Sequence, residues 1–197
     1  NIDLGPASVG RCLEEVGIGF MFAQRFHPSM RFAAGPRREI NIRTVFNILG
    51  PLTNPAGVSA QLIGVADAGI AKKMAAVLGM LGCTHALVVH GEDGLDEISL
   101  SGGTSVWELK EGTVRSYTIV PGDLGLDQND GVSLRIRNVT ESADMIRAIL
   151  DGLPGPARDV VLANSAGAML AADRVKTLRE GVSVAVESID SGMARRK

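Results

Sequence analysis

The fold is decided by residues 60–91, which read AQLIGVADAGIAKKMAAVLGMLGCTHALVVHG. Within them, residues 60–65 and 85–90 are short apolar segments with the length and composition of strands. Residues 68–81, between the two, have the pattern of a helix, and Gly82 follows as a helix end. Strands that are apolar on both faces and joined by a helix are typical of a parallel sheet covered by helices. The sequence therefore predicts an α/β fold built around this unit.

The segments on either side extend this unit. Before it we predict a helix at residues 6–16, a short strand at 18–22, an interrupted helical segment at 27–47 and a loop at 50–57. After it we predict a hairpin turning at Glu111 and Gly112, then three helices, the first with Thr140 as its N-cap. The predicted hairpin strands are residues 104–109 and 114–120, and the predicted helices are 141–150, 158–172 and 182–195. The predicted architecture is one α/β domain, residues 1–197, with a mixed, mainly parallel sheet flanked by helices.

Composition excludes several classes of protein. The formal net charge of −2 at pH 7, with both signs scattered along the chain, gives no broad basic surface for nucleic acid. No apolar run approaches the roughly 20 residues of a membrane span, and the first residues lack the order of a signal peptide. We therefore expect a soluble, cytoplasmic protein with neither a nucleic-acid nor a membrane partner.

An acidic turn, HGEDGLDE at residues 90–97, follows the second strand. Open α/β sheets bind ligands beyond the carboxyl ends of their strands, so this turn lies where a site is expected. Asp96 and Glu97 offer adjacent oxygen ligands of the kind that Mg²⁺ takes together with substrate phosphates. The alternative is a solvated acidic turn. Glu92 and Asp93 precede the bend of this turn and are predicted to be exposed and outside the site.

A second candidate group lies at residues 27–39, where His27 precedes an arginine pair. The Arg37 guanidinium can bind a planar carboxylate through two parallel hydrogen bonds, and His27 can hydrogen-bond a neighbouring polar group. The alternative is that Arg37 and Arg38 pair with Glu39 on a helix surface. Both interpretations remain open from the residues alone.

The remaining cysteines and histidines are assigned structural roles. Cys12 and Cys83 have no neighbouring His or Cys at metal-ligand spacing, and both are predicted to be buried thiols. His85 and His90 flank the second strand and are predicted to be hydrogen-bonded structural histidines. No catalytic acid, base or nucleophile is identified, and neither a P-loop nor a dinucleotide-binding motif occurs.

The whole chain resembles the anthranilate phosphoribosyltransferase family. The matching runs are EEVGIGFMFA (14–23), HPSM (27–30), RRE (37–39), RTVFNILGPLTNP (43–55), HGEDGLDE (90–97), PGDLG (121–125) and ESIDSG (187–192). The resemblance implies a catalytic domain like those of nucleoside phosphorylases and phosphoribosyltransferases. It also implies transfer of the phosphoribosyl group of phosphoribosyl pyrophosphate (PRPP) to the amine of anthranilate, in tryptophan biosynthesis.

The resemblance assigns roles to five residues. Arg37 matches the arginine that holds anthranilate, and His27 and Pro51 match residues that line the anthranilate site. Asp96 and Glu97 match the carboxylate pair that binds Mg²⁺ on the pyrophosphate. The implied partners are anthranilate and PRPP, and a homodimer is expected for the full-length enzyme. No general acid or base is implied.

The sequence also departs from the family pattern. It begins after the small helical domain and the glycine-rich phosphate loop of the family, so we expect a domain that is incomplete at its amino-terminal side and inactive alone. Asn41 stands where a glycine is usual, and Met193 replaces a common lysine. Two alternatives are a pyrimidine nucleoside phosphorylase and a non-catalytic paralogue that binds nucleic acid. The net charge of −2 and the intact acidic pair disfavour the second.

Overall fold

The computed structural model describes residues 2–27, 39, 46–130 and 134–197. The chain divides into two compact units, one of residues 1–56 with Lys197 and one of residues 57–196. The amino-terminal unit contains the helices α1 (Pro6–Glu15), α2 (Ala23–Phe26) and α3 (Phe46–Leu52). Much of the segment predicted as an interrupted helix, including Arg37 and Arg38, lies outside the described residues.

The first helix confirms the prediction, but the strand predicted after it is wrong. Helix α1 starts at a proline, which needs no N–H partner in the first turn, and the chain turns away at Gly17 with φ 85°. Residues 18–22 form no strand. Gly19 lies against α1 instead, since a Cβ at this residue would be 2.9 Å from Val9 Cγ1 and 3.2 Å from Leu13 Cγ. An apolar run of this length does not reveal whether it meets a sheet or a helix.

The loop predicted at residues 50–57 is partly helical. Helix α3 continues through Gly50 and ends at Leu52, one residue after Pro51. Proline lacks the N–H group that helix continuation requires, which accounts for a helix end here. The Thr53 hydroxyl donates to the carbonyl oxygen of Leu49 at 2.8 Å and so occupies one of the terminal acceptors.

The second unit is built on a four-stranded sheet with the order β1-β2-β3-β4. Its strands are β1 (Ala60–Gly64), β2 (His85–Gly91), β3 (Thr104–Lys110) and β4 (Thr113–Ile119). Strands β1 and β2 are parallel, as predicted, whereas β2 pairs antiparallel with β3, and β3 pairs antiparallel with β4 through the predicted hairpin. Its turn residues Glu111 and Gly112 have φ 50° and 74°, the positive values that two-residue hairpins favour. The mixed α/β class is therefore confirmed, with antiparallel pairs outnumbering the parallel pair among these strands.

Helices cover both faces of this sheet. The helices of this unit are α4 (Ala68–Met80), the short α5 (Pro121–Leu124), α6 (Val139–Leu150), α7 (Pro156–Ala171), α8 (Leu178–Asp190) and the short α9 (Met193–Arg196). The main contacts with the strands are made by α4 and α7, and α8 packs on α7. The α6 helix begins two residues earlier than predicted, because Asn138 rather than Thr140 caps it by accepting from the Glu141 N–H. The α8 helix begins four residues earlier than predicted, because Thr177 caps it in the same way. Gly192, with φ 72°, separates α8 from α9.

The core lies on both sides of β2. Leu87 and Val89 belong to a buried cluster with residues of α7 and α8, while the alternate strand residues face α4 across the sheet. The α7 and α8 helices approach closely, since a Cβ at Gly181 would lie 2.8 Å from Ala166 Cβ.

Among the described residues, no helix has the length and apolar character to cross a membrane. Cys83 is buried as predicted, whereas Cys12 is only half-buried, and both thiols are free.

Candidate functional site

The carboxyl ends of β1 and β2 meet at one edge of the sheet, because the two strands are parallel. Two hydrogen bonds join the chain just beyond these ends: Val65 N–H donates to the Val89 carbonyl at 3.0 Å, and His90 Nδ1 donates to the Val65 carbonyl at 2.8 Å. His90 therefore has the structural role predicted for it. The acidic turn emerges directly from this edge.

The first half of the turn is held by its own backbone and by Asp93. Gly91 N–H donates to the Leu95 carbonyl at 2.8 Å, and the bend between them is reached with φ 89° at Gly94. Asp93 accepts from Leu95 N–H at 3.1 Å and from the Ser99 hydroxyl at 2.8 Å. Burial alone would raise the pKa of Asp93, but these hydrogen bonds outweigh it and hold that pKa below the ordinary value. The charged Asp93 carboxylate thus stabilises the turn.

Glu92 fastens the turn to the start of β3. Its N–H donates to the Gly103 carbonyl at 2.9 Å, and its carboxylate accepts from the Gly103 N–H at 3.1 Å. Glu92 and Asp93 are both exposed, as predicted, and their hydrogen bonds stay within the turn and its flanks. Because the Glu92 and Asp93 carboxylates are engaged in these hydrogen bonds, Asp96 and Glu97 are the carboxylates of residues 90–97 that can bind a ligand.

Asp96 and Glu97 follow the bend, and both are exposed. The backbone of Asp96 is pressed against the end of β1, where a Cβ on Gly64 would lie 1.5 Å from the Asp96 carbonyl oxygen. Although the residue as a whole is exposed, partial burial of the Glu97 carboxyl group, together with repulsion by the Asp96 charge, raises the pKa of Glu97. A cation at this pair would relieve that repulsion. Across residues 2–27, 39, 46–130 and 134–197, no three His, Cys, Asp or Glu side chains form a metal-binding group.

The other predicted site residues belong to the amino-terminal unit. His27 is the half-buried C-cap residue of α2, and its N–H donates to the Ala23 carbonyl at 2.8 Å. Pro51 is half-buried within α3. Arg37 lies outside the described residues, so its predicted role is untested. Of the predicted residues, the structure brings Asp96 and Glu97 together.

Sequence reasoning missed Asn164, whose carboxamide binds the backbone of Ile98, the residue after the acidic pair. Asn164 lies on the sheet-facing side of α7, in the run VVLANSAGAML. A polar amide among small and apolar residues was the available signal, because such a group needs hydrogen-bond partners when it is packed inside. The sequence does not show which of the other elements supplies those partners.

A second polar cluster lies at the opposite end of β2. His85 is 2% exposed, and its Nδ1 and Nε2 lie 3.1 Å from Asp173 and 3.0 Å from Glu108. Asp173 also pairs with Lys110 at 2.7 Å. His85, Lys110 and Asp173 line a cavity of about 760 Å³, which is lined in addition by the end of α4 and by Cys83. The two ring contacts confirm the structural role predicted for His85.

A matching family model and similar curated proteins identify the relatives of this chain. Residues 1–195 match the family described as glycosyl transferase family, a/b domain. Anthranilate phosphoribosyltransferases of Symbiobacterium thermophilum and Moorella thermoacetica are 55% and 52% identical to the chain over 196 residues, with 100% of the chain and 58% of each relative covered. The chain thus spans 58% of the length of these curated relatives.

Solved structures agree with these relatives. The anthranilate phosphoribosyltransferase of Thermus thermophilus superposes with a TM-score of 0.92 at 40% identity, with 100% of this chain and 58% of that chain covered. The Saccharomyces cerevisiae enzyme in complex with PRPP and Mg superposes with a TM-score of 0.89 at 27% identity, with 99% and 56% covered. The resemblance and the fold class inferred from the sequence are both confirmed.

Proposed function

The chain belongs to the glycosyl transferase family, a/b domain, and from this premise we propose that the whole protein transfers the phosphoribosyl group of PRPP to the amine of anthranilate. The observation that carries the proposal is the 55% identity, over the full length of this chain, to a relative named for that activity. Pyrophosphate is the second product, and tryptophan biosynthesis is the pathway. The relatives compared bear this one activity name, so no observation favours a nucleoside phosphorylase or a nucleic-acid-binding paralogue.

The reaction is a displacement at the anomeric carbon of the ribose. The anthranilate nitrogen forms a bond to that carbon, the bond from carbon to the pyrophosphate oxygen breaks, and the amine proton leaves to solvent. No covalent enzyme intermediate is needed. An aromatic amine is weakly basic and needs no strong base to keep it unprotonated at neutral pH, which is consistent with the lack of an identified general base.

Asp96 and Glu97 are proposed to hold Mg²⁺ bound to the pyrophosphate. Two adjacent exposed carboxylates suit an ion that commonly takes one or two protein carboxylates and completes its shell with water and substrate phosphates. Partial burial, and then the nearby Asp96 charge, raise the pKa of Glu97, and a divalent cation at the pair would offset the repulsion between the two carboxylates. When bound, Mg²⁺ stabilises the charge that develops on the departing pyrophosphate, a contribution of several kcal/mol.

Arg37, His27 and Pro51 are proposed to bind anthranilate. A guanidinium matches a carboxylate with two parallel hydrogen bonds, so Arg37 would fix the plane of the substrate. His27 and Pro51 would line the same site. Their contribution is to align the amine with the anomeric carbon, and alignment of reactants can lower a barrier by roughly 7 to 11 kcal/mol.

The homodimer expected from the resemblance and the cytoplasmic location expected from the composition stay predictions, as does the need for more chain than residues 1–197. We propose that these residues alone bind PRPP poorly, since the resemblance places the phosphate-binding loop of the family outside them. Backbone N–H groups in such loops are strong phosphate ligands, and their loss weakens binding.

The test is an assay of the whole protein with anthranilate, PRPP and Mg²⁺, in which the reaction is monitored by the loss of anthranilate fluorescence. We expect consumption of anthranilate that requires all three components and releases one pyrophosphate per turnover. Phosphorolysis of uridine with inorganic phosphate, in the absence of any reaction with anthranilate, would contradict the proposal. Binding of nucleic acid without either reaction would contradict it as well.

A further inference from the structure

Asn164 makes a two-point contact with a single backbone residue. Its Oδ1 accepts from the Ile98 N–H at 2.8 Å, and its Nδ2 donates to the Ile98 carbonyl at 3.1 Å. The second Nδ2 hydrogen goes to the Val160 carbonyl, one turn earlier in α7, at 3.0 Å. The Asn164 carboxamide is therefore held by its own helix and hydrogen-bonds both the N–H and the carbonyl group of Ile98, a residue 66 positions away.

The position of Ile98 makes this contact consequential. Ile98 directly follows Glu97, and its N–H is part of the peptide that joins the two residues. Its side chain is 1% exposed, so water has little access to this part of the chain. The polar groups of such a residue need protein partners, and Asn164 supplies both of them. The plane of the Glu97 peptide is thus set by a side chain of α7.

Two glycines confine the same segment on its other sides. A Cβ at Gly64 would overlap the Asp96 carbonyl oxygen at 1.5 Å. A Cβ at Gly167, one turn after Asn164, would lie 2.8 Å from Ile98 Cδ1. The backbone at Asp96, Glu97 and Ile98 therefore fits between the end of β1 and the face of α7, with the carboxylates left exposed.

We infer that Asn164 is a positioning residue for the Asp96–Glu97 pair: by holding the peptide after Glu97, it sets the direction in which the two carboxylates present their oxygens to Mg²⁺ and pyrophosphate. The inference rests on the metal role proposed above for this pair. Asn164 itself is directed at the backbone of Ile98 and is not assigned a contact with substrate. Residues that orient metal ligands typically change metal affinity roughly 10- to 100-fold when replaced.

The experiment uses Asn164→Ala and Asn164→Asp in the whole protein. Asn164→Asp keeps an acceptor for the Ile98 N–H but loses the donor for its carbonyl and adds a negative charge. We expect the Mg²⁺ concentration at half-maximal activity to rise at least about tenfold in both variants, with KM for PRPP rising and KM for anthranilate nearly unchanged. Calorimetric titration of Mg²⁺ into enzyme saturated with pyrophosphate should show the same loss of affinity without any turnover.

Val182→Ala is the matched control, because it removes core volume from α8 and leaves the Asn164 contacts in place. The inference is overturned if the Asn164 variants lose thermal stability like this control while keeping wild-type Mg²⁺ affinity and both KM values. Failure of the proposed metal role is separable: Asp96→Asn with Glu97→Gln would then leave the Mg²⁺ dependence unaltered. If Asn164→Ala does not fold, Asn164→Asp and the titration carry the decision.

Discussion

A Cβ atom on Gly64 would lie 1.5 Å from the carbonyl oxygen of Asp96, so the last residue of β1 and the acidic loop touch backbone to backbone. No side chain of any size fits between them. The position of the loop over the carboxyl end of β1 therefore depends on one absent methyl group, and this dependence can be tested directly.

Gly64→Ala should displace the acidic loop. Because the contacting atom is backbone rather than the end of a flexible side chain, the overlap cannot be relieved by a change of rotamer, and we expect a loss of about 3 kcal/mol or more in unfolding free energy. Mg²⁺-dependent turnover should fall as well. Denaturant unfolding and Mg²⁺ titration of activity measure the two effects.

Gly122→Ala provides the control, since a Cβ there meets no atom within 4 Å. It should leave stability within about 0.5 kcal/mol of the wild type. Equal effects of the two substitutions would show that the close approach at Gly64 has no special consequence.

Replacing the acidic pair by Asp96→Asn with Glu97→Gln should separate catalysis from folding. We expect turnover to fall on the order of 100-fold, because the stabilisation of charge on pyrophosphate is lost. The melting temperature should change little, because exposed carboxylates contribute little to stability. Steady-state kinetics at several Mg²⁺ concentrations and a thermal melt give both readings. Asp144→Asn, at an exposed carboxylate of α6, is the control and should leave turnover unaltered. Unaltered turnover of the double variant at limiting Mg²⁺ would refute the metal assignment.

Arg37→Lys should weaken anthranilate capture in the whole protein. Lysine keeps the charge but lacks the planar fork that pairs with a carboxylate, so KM for anthranilate should rise about tenfold and KM for PRPP much less. Arg38→Lys is the neighbouring control and should be nearly silent. An equal rise of both KM values in Arg37→Lys would indicate a packing defect rather than substrate capture.

How far the sequence predicts the structure depends on how local the determining interactions are. The β1–α4–β2 unit is predicted because strand and helix periodicity and the helix end at Gly82 all lie within about 30 consecutive residues. Residues 18–22 were predicted wrongly because an apolar run does not identify its packing partner. Thr140 is predicted as the cap of α6 although Asn138 fills that role, because either side chain can cap a helix and the pattern does not distinguish them.

The candidate site shows the same division. Asp96 and Glu97 are recognisable as a local pair at a strand end, and both residues are exposed in the structure. The role of Asn164 cannot be predicted in this way, because its partner Ile98 is 66 residues away and the two residues meet only after α7 packs on β1 and β2. The Gly64 contact is equally non-local, since it joins β1 to a loop beyond β2.

The His85 cluster predicts a pH-dependent term in stability that is unrelated to catalysis. The Lys110 hydrogen bond, which outweighs partial burial, lowers the pKa of Asp173, and His85 lowers it further. A depressed carboxyl pKa contributes stability above the unfolded-state pKa of about 3.9, and that stability is lost as pH falls toward the folded-state pKa.

Asp173→Asn removes the charge yet tolerates the φ of 51° at this position. Because the Asp173 side chain is 62% exposed, the variant should be less stable than the wild type by at most about 1 kcal/mol at pH 7, and the difference should shrink below pH of about 4. Urea unfolding across this range measures it, with Asp151→Asn as the control, since it removes a similarly exposed carboxylate that pairs with Arg195. A difference that stays constant or grows on acidification would contradict the assignment of a stabilising charge to Asp173.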